Sequence, residues 1–339
     1  MTVKSDSLQQ KILDDIRNGI LQPGKPIPSR NQLCRKYQFS RTTVDRAIRR
    51  LIAGGYLSAV QGSRTIVRPG GPDNPLERLF IIYPSAQNTP GFGDQFFKQV
   101  NCPLPVTAIN EEDAGVYFAR MCMPGTAVIW NCPGLESLYF MKSLRNAGIP
   151  QILINRDFAG YNYVATDQRA SIREGLAWLL IEAGRDITLL TRPSQTTRPY
   201  MGERTIAFYE SAVELGARLS GSRIHCRDIH DIPQEIAAVA QELFLGVKPA
   251  RGIVLLNQEF AIPLVTCGVA LGKRPGRDYF LLTFDYYDEL KGYPGLGMLR
   301  QQFDLMRSEA YRWISGGYAE RGEPFQVKLK AEFIVNPEN

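Results

Sequence analysis

No stretch of this 339-residue chain approaches the roughly 18 consecutive apolar residues that a membrane-spanning helix needs, and residues 1–10 hold no apolar signal core. A cytoplasmic protein without a membrane partner is expected. Histidine is nearly missing, with two residues, so acid–base and triad chemistry have few candidates. Gly-x-Ser-x-Gly, Walker and dinucleotide fingerprints are absent as well, so neither an enzyme nor a bound cofactor is expected. The six cysteines, at 34, 102, 122, 132, 226 and 267, show no C-x-x-C spacing; they read as reduced, mostly buried thiols rather than a disulfide framework. The cluster His225, Cys226, Asp228 and His230 comes nearest to a ligand set, but three groups so close on one strand rarely complete a tetrahedral site. No metal is expected.

What is present is charge, unevenly spread. Residues 1–70 contain 13 Lys and Arg against 4 Asp and no Glu, a formal +9, which leaves 27 basic and 30 acidic side chains, a formal −3, for the other 269. A basic head on a near-neutral body is the electrostatic footprint of a nucleic-acid module attached to something that binds something else.

The head has the periodicity of a small helical domain. Leu8, Ile12, Ile16 and Ile20 repeat every four residues and predict an amphipathic helix over 5–19, ending near Asn18-Gly19. The prolines of Pro23-Gly24-Lys25-Pro26-Ile27-Pro28 cannot continue it. Ser29 can cap a second helix over 29–37 that buries Leu33 and Tyr37. Ser40 caps a third over 40–53, in which Val44, Ala47, Ile48, Leu51 and Ile52 fall on one side. Arg41, Thr42, Arg46 and Arg49 are left on the other side or at the first turn, where a major-groove helix meets bases and phosphates. After Gly54-Gly55, residues 56–60 and 65–67 read as two short strands, a wing with Arg64 near its tip.

Residues 8–67 resemble the winged helix-turn-helix of the gluconate-repressor (GntR) family of bacterial transcription regulators. The likeness rests on residues 19–24, Ile27-Pro28-Ser29, Leu33 with Tyr37, Phe39 to Val44 with Ala47, Leu51 with Gly55-Tyr56-Leu57, and Gly62 with Thr65-Ile66-Val67. It implies DNA contacts at Ser29, Ser40, Arg41, Thr42, Thr43, Gln61 and Gly62, to which Arg30, Arg46, Arg49 and Arg64 are added as basic neighbours. Two departures bear on base reading. The family usually has Glu-Arg where this chain has Arg30-Asn31, and an arginine one turn into the recognition helix where this chain has Asp45. A carboxylate there can accept from cytosine N4 or pair with Arg41 or Arg49 across one turn. Pairing is the expectation, with Arg46 and Arg49 standing in for the missing arginine.

Residues 68–75, with three prolines and two glycines, read as a linker; the expected divisions are 1–68, a linker at 69–77, and a body from 78 to 339. Beyond it strands alternate with helices: strands over 79–83, 106–109, 127–130 and 152–155, then 186–191, 223–226, 252–256 and 279–284, with helices over 113–121, 135–147, 168–183, 203–215, 233–244 and 260–271. The fold class is α/β, two lobes with parallel sheets behind a winged head, and ligands in such sheets bind beyond the carboxyl ends of the strands. A cleft between the lobes is the expected ligand site.

This body resembles the effector domain of the lactose- and galactose-repressor (LacI/GalR) family, itself similar to periplasmic sugar-binding proteins. The carrying residues are 150–158 with Asn155-Arg156-Asp157-Phe158, Val164 with Asp167, Arg204, Phe208, Ala212 and Gly216, residues 252–256 with Asn257 and Ala261, and Thr283-Phe284-Asp285. A GntR-type head on this body is the combination of arabinose-type repressors. The family usually has Asn-Asp where this chain has Asn257-Gln258. Matching positions and strand ends nominate Tyr83, Ser85, Asn131, Arg156, Asp157, Arg204, Asn257, Gln258, Asp285 and Tyr286 as ligand contacts, with amides, carboxylates and guanidinium groups suited to sugar hydroxyls. Convergence of Arg156, Arg192 and Arg204 would favour a phosphate or carboxylate. The resemblance thus implies a homodimeric repressor of double-stranded DNA controlled by a sugar or sugar derivative. The alternative is a sugar-binding module or sugar-active enzyme with a basic interaction head.

Overall fold

The computed structural model describes residues 2–22, 24–53, 55–59, 64–67, 76–84, 102, 104–191, 199–219, 232–256 and 258–337. The chain forms two compact units, Met1–Ala165 with Met306–Val327, and Thr166–Leu305 with Lys328–Asn339.

The first unit begins with the head: α1 (Thr2–Arg17), α2 (Arg30–Tyr37), α3 (Arg41–Ala53), and the antiparallel pair β1 (Leu57–Ser58) and β2 (Ile66–Val67). Leu8, Ile12, Leu13, Leu33, Val44, Ala47, Ile48 and Leu51 make one core, because apolar residues spaced three and four apart share a helix face. Ile20 departs from the predicted stripe: α1 stops at Arg17, Gly19 turns left-handed at φ +72, and Ile20 is 61% exposed while Leu13 takes the buried place. The proline segment is more than a turn. Gly24 and Ile27 donate to Val67 and Thr65 carbonyls at 2.8 and 2.9 Å, and Val67 donates to the Lys25 carbonyl at 2.9 Å, so it lines the free edge of β2.

The lobe that follows contains β3 (Arg78–Tyr83), β4 (Val106–Asn110), α4 (Ala114–Met121), β5 (Thr126–Asn131), α5 (Leu138–Asn146), β6 (Gln151–Ile154) and β7 (Asn162–Thr166). The second unit contains α6 (Gln168–Ala183), β8 (Asp186–Leu190), α7 (Pro199–Leu215), β9 (Arg218–Leu219), α8 (Ile232–Leu245), β10 (Gly252–Leu255), α9 (Ala261–Ala270), β11 (Phe280–Phe284) and β12 (Leu296–Arg300). The chain then returns through α10 (Phe303–Ser315), α11 (Tyr318–Arg321) and β13 (Gln326–Leu329), and ends with β14 (Glu332–Val335).

The sheet orders are β13-β7-β6-β5-β3-β4 and β14-β12-β11-β10-β8-β9. Strands β3 to β7 are mutually parallel, as are β8 to β12, while β14 runs antiparallel beside β12. Central strands β5, β6, β10 and β11 are buried along their whole length, as sheets covered on both faces require. Helix α6 lies against its sheet at Gly175, where a Cβ would sit 2.5 Å from Leu282 Cδ1.

The α/β expectation therefore holds, with differences at the edges. Strands β7, β9, β12, β13 and β14 and helices α10 and α11 lie outside the expected elements. The predicted strand at 223–226, the His225 to His230 cluster and linker residues 69–75 lie outside the described residues, and among those described no group of His, Cys, Asp and Glu could hold a metal. No described helix is long and apolar enough to cross a membrane.

Candidate functional site

The outer face of α3 follows from its inner one. With Val44, Ala47, Ile48 and Leu51 buried, Arg41, Thr42, Arg46 and Arg49 are left exposed on the far side. Ser40 holds the start of the helix, accepting from the Thr43 amide at 3.3 Å while its hydroxyl lies 3.1 and 2.8 Å from those of Thr42 and Thr43. Ser29 does the same for α2 through a full capping box, accepting from the Gln32 amide at 3.4 Å as Gln32 Oε1 accepts from the Ser29 amide at 2.8 Å.

Asp45 does not pair with the side chains expected of it. Its Oδ1 accepts from Arg30 Nε of α2 at 2.9 Å, while Arg49 donates to the Asp45 backbone carbonyl at 3.3 Å and Arg41 to Asn31 Oδ1 at 3.2 Å. The crossing of α2 over α3 brings Arg30 closer than either intrahelical neighbour. The two family departures, Arg30-Asn31 and Asp45, thus meet as one ion pair and one hydrogen bond that tie α2 to α3. Arg64 is exposed before β2, and Gln61 and Gly62 lie outside the described residues.

In the first lobe the nominated groups stand at strand ends. Tyr83 ends β3 and is half-buried. Asn131 ends β5 at 1% exposure, its Oδ1 accepting from Cys132 Sγ at 3.8 Å and its Nδ2 without a hydrogen-bond partner among the described residues. Arg156 follows β6, is buried, and donates from Nη1 to the Asn155 carbonyl at 2.6 Å; Asp157 beside it is half-buried. Cys132 and Asn155 hold left-handed backbones, φ +50 and +56, a strain that concentrates at functional sites. Glu111, just past β4, completes the row and was not nominated. It accepts from the Gly134 amide at 3.2 Å and from Ser137 Oγ. Burial pushes its carboxyl above the ordinary value, while the Ser137 and Gly134 bonds and the charge of Arg156 pull the other way.

In the second unit the structure brings Arg204 and Asp285 together, Nη1 to Oδ2 at 3.5 Å with side chains 4% and 19% exposed. Arg204 also donates to the Leu256 carbonyl at 3.1 Å and lies 3.7 Å over the Phe284 ring. Its Nε has no hydrogen-bond partner among the described residues. Asp285 sits at φ +76, its amide donating to the Leu299 carbonyl at 3.0 Å. Its Oδ1 accepts from Gln301, which in turn accepts from Thr166 Oγ1 at 2.9 Å. Burial, and after it the Asp285 charge, push the Tyr287 hydroxyl upward. The Tyr286 ring carries Arg300 at 5.1 Å and Lys291 at 5.6 Å. Ser85, Arg192 and Asn257 lie outside the described residues, as does the side chain of Gln258.

Gln301 and Glu111 were missed for different reasons. Gln301 follows β12, a strand that escaped the pattern. Glu111 follows β4, which was recognised, so the strand-end rule already pointed to it.

Residues 4–67 match the family model described as bacterial regulatory proteins, gntR family. A probable fructoselysine utilization operon transcriptional repressor of Escherichia coli (strain K12) is 41% identical over 70 residues, 21% of this chain and 29% of that protein. The arabinose metabolism transcriptional repressor of Geobacillus stearothermophilus is 34% identical over 74 residues, 22% of this chain and 20% of that protein. The chain thus aligns with less than a third of either relative. A crystal structure of a regulatory protein of the LacI family from Chloroflexus aggregans superposes with a TM-score of 0.63 at 18% identity, covering 77% of this chain and 98% of that one. Residues 4–67 are thus similar to the gntR family of bacterial regulatory proteins, and the body shares the fold of this LacI-family regulator.

Proposed function

We propose that this protein is a transcription repressor, working as a homodimer, whose head binds half-sites of double-stranded DNA and whose operator affinity is set by a sugar or sugar derivative bound at the strand ends of the body. The observation that carries the reading is the exposed face of α3, where Arg41, Thr42, Arg46 and Arg49 stand together while the one carboxylate on that helix is drawn aside by Arg30. Guanidinium groups so placed suit guanine edges and phosphates. Ser29, Ser40 and Thr43 belong to the same contact surface, with Gln61, Gly62 and Arg64 supplied by the wing.

The ligand chemistry follows from the strand ends. Arg204 and Asp285 neutralise each other, and the Nε of Arg204 and Nδ2 of Asn131 are buried donors without an acceptor among the described residues. Neutral hydroxyl oxygens satisfy such donors without unbalancing the pair. The names of the two relatives, one of fructoselysine and one of arabinose metabolism, support the same class. Tyr83, Ser85, Arg156, Asp157, Asn257, Gln258 and Tyr286 are the further contacts of this reading.

Fluorescence polarisation with DNA from upstream of the protein's own coding region tests it. Specific binding at moderate salt, weakened by one of a thermal-shift panel of pentoses, hexoses, uronates and their phosphates, is expected. Binding indistinguishable from that of scrambled DNA would sink the repressor reading.

A further inference from the structure

Among the described residues, Tyr56 and Asp14 each tie the head to the lobe that follows it, and neither belongs to the DNA-facing surface or to the strand ends. Tyr56, between α3 and β1, donates its hydroxyl to the Gly148 carbonyl at 3.0 Å. Arg145, in the last turn of α5, reaches Asp14 of α1, Nη2 to Oδ1 at 2.8 Å, with side chains 24% and 35% exposed. Gln10 donates to the same oxygen at 2.9 Å and so fixes the carboxylate. The neighbouring Asp15 is taken up inside the head by Lys36 and Tyr37, so Asp14 is the carboxylate turned to the lobe. Gly148 suits this approach twice: its φ is +80, and a Cβ there would lie 3.0 Å from the Tyr56 hydroxyl oxygen.

Arg145 faces a second structure as well. Its guanidinium lies 5.4 Å over the Tyr161 ring, and its Nη1 would stand 2.7 Å from a Cβ on Gly160. Because β6 and β7 are parallel and Ile154 pairs with Val164, residues 155–161 must run back from the carboxyl end of the sheet to its amino end. That strut starts at Asn155, Arg156 and Asp157, on the effector side, and finishes under Arg145, on the head side. Phe158 and Tyr161 pack into the lobe core along the way.

We infer that the corner between α5 and β6 is a docking surface for the head, and that Arg145 couples the head to the effector strut by gripping Asp14 on one side and the Gly160-Tyr161 end of the strut on the other. The coupling rests on the repressor reading above; the dock itself does not. Linkage makes it reciprocal: if occupancy of the effector site changes the seat of Arg145, disturbing Asp14 in the head must change the strut.

Hydrogen exchange on the full chain, without ligand or DNA, tests this in the Asp14→Arg, Arg145→Glu and doubly reversed proteins. Each single change should speed exchange in residues 8–16 and 145–149 about five- to tenfold, the scale of a lost contact pair. Asp14→Arg should also speed it in 156–161, and the double reversal should restore 8–16 and 145–149 but not 156–161, because a carboxylate at 145 cannot take the guanidinium's place over the Tyr161 ring. Tyr56→Phe, which removes one hydroxyl and keeps the ring, should give a smaller change at 145–149. Wild-type exchange in both single variants, or no restoration of 8–16 and 145–149 in the double, overturns the dock; wild-type exchange of 156–161 in Asp14→Arg overturns the coupling. Polarisation on upstream DNA runs alongside: no specific binding by the unaltered protein, with charge-swap rescue intact, removes the repressor reading and leaves the dock standing.

Discussion

In the head, Arg41, Arg46 and Arg49 stand in solvent on a helix whose only carboxylate is held by Arg30, whereas in the body Arg204 is almost wholly enclosed between the Phe284 ring, the Leu256 carbonyl and Asp285. The same side chain is thus kept hydrated in one region and desolvated in the other. An exposed guanidinium costs little to hold and stabilises the fold little; its attraction for a polyanion falls as salt rises. A buried one is tolerable only with a counter-charge and hydrogen bonds, and removing its partner leaves an unpaired charge. The head is therefore built to be altered without unfolding, and the body's strand ends are not.

The sharpest test is Arg204→Ala, which should destabilise the second unit by about 3 kcal/mol because Asp285 loses its counter-charge; calorimetry on the full chain reads it. A loss under about 0.5 kcal/mol, the range of ordinary surface changes, would erase the contrast. Next, Arg41→Ala should leave the melting temperature in place and weaken specific DNA binding by about 1–3 kcal/mol, with much less effect on nonspecific binding. Equal losses on both DNAs would reject base reading by Arg41. For a dimer making about eight phosphate contacts, log K should fall with log salt at a slope of about −7. Ser29→Ala removes the capping box of α2 and should cost about 1 kcal/mol of head stability in a urea melt.

The smallest effect concerns Glu111. Its carboxyl titrates above the ordinary value of 4.5 because it is buried, so the folded state holds the proton more tightly than the unfolded one. That contribution is present below the ordinary value and is lost as pH rises through the raised folded value. Glu111→Gln should therefore match the wild type in thermal stability near about pH 4 and exceed it near about pH 8. A gap that does not widen with pH would show that Arg156 and the Ser137 and Gly134 bonds already offset the burial.

The head was the more legible region. Helix α3 begins one residue inside its predicted span and ends with it at Ala53, because cap, stripe and terminal glycines all act within one or two helical turns. Helix α6 likewise matches 168–183, capped by Asp167, which accepts from the Ala170 amide at 2.9 Å. Strand β12 was not legible: Leu296-Gly297-Met298-Leu299-Arg300 lacks β-branched residues, and only glycine fits at 297, because the Trp178 ring fills the space where a Cβ would lie, 2.6 Å away. Gln301 and its bond to Asp285 were lost with it. The partner of Asp45 was misjudged because the intrahelical rule ranks candidates three and four residues away, while Arg30 is fifteen away and reaches it across a helix crossing.

The amino-acid sequence by itself determined the charge step at residue 70, the helix faces of the head and the alternation that makes the body α/β. These depend on spacings of two to four residues, which backbone geometry converts directly into faces. Only the tertiary structure decided which charges meet: Asp45 with Arg30, Asp285 with Arg204, Asp14 with Arg145. An ion pair is a matter of a few ångströms and of local burial, and neither distance nor dielectric is written in the order of residues along the chain.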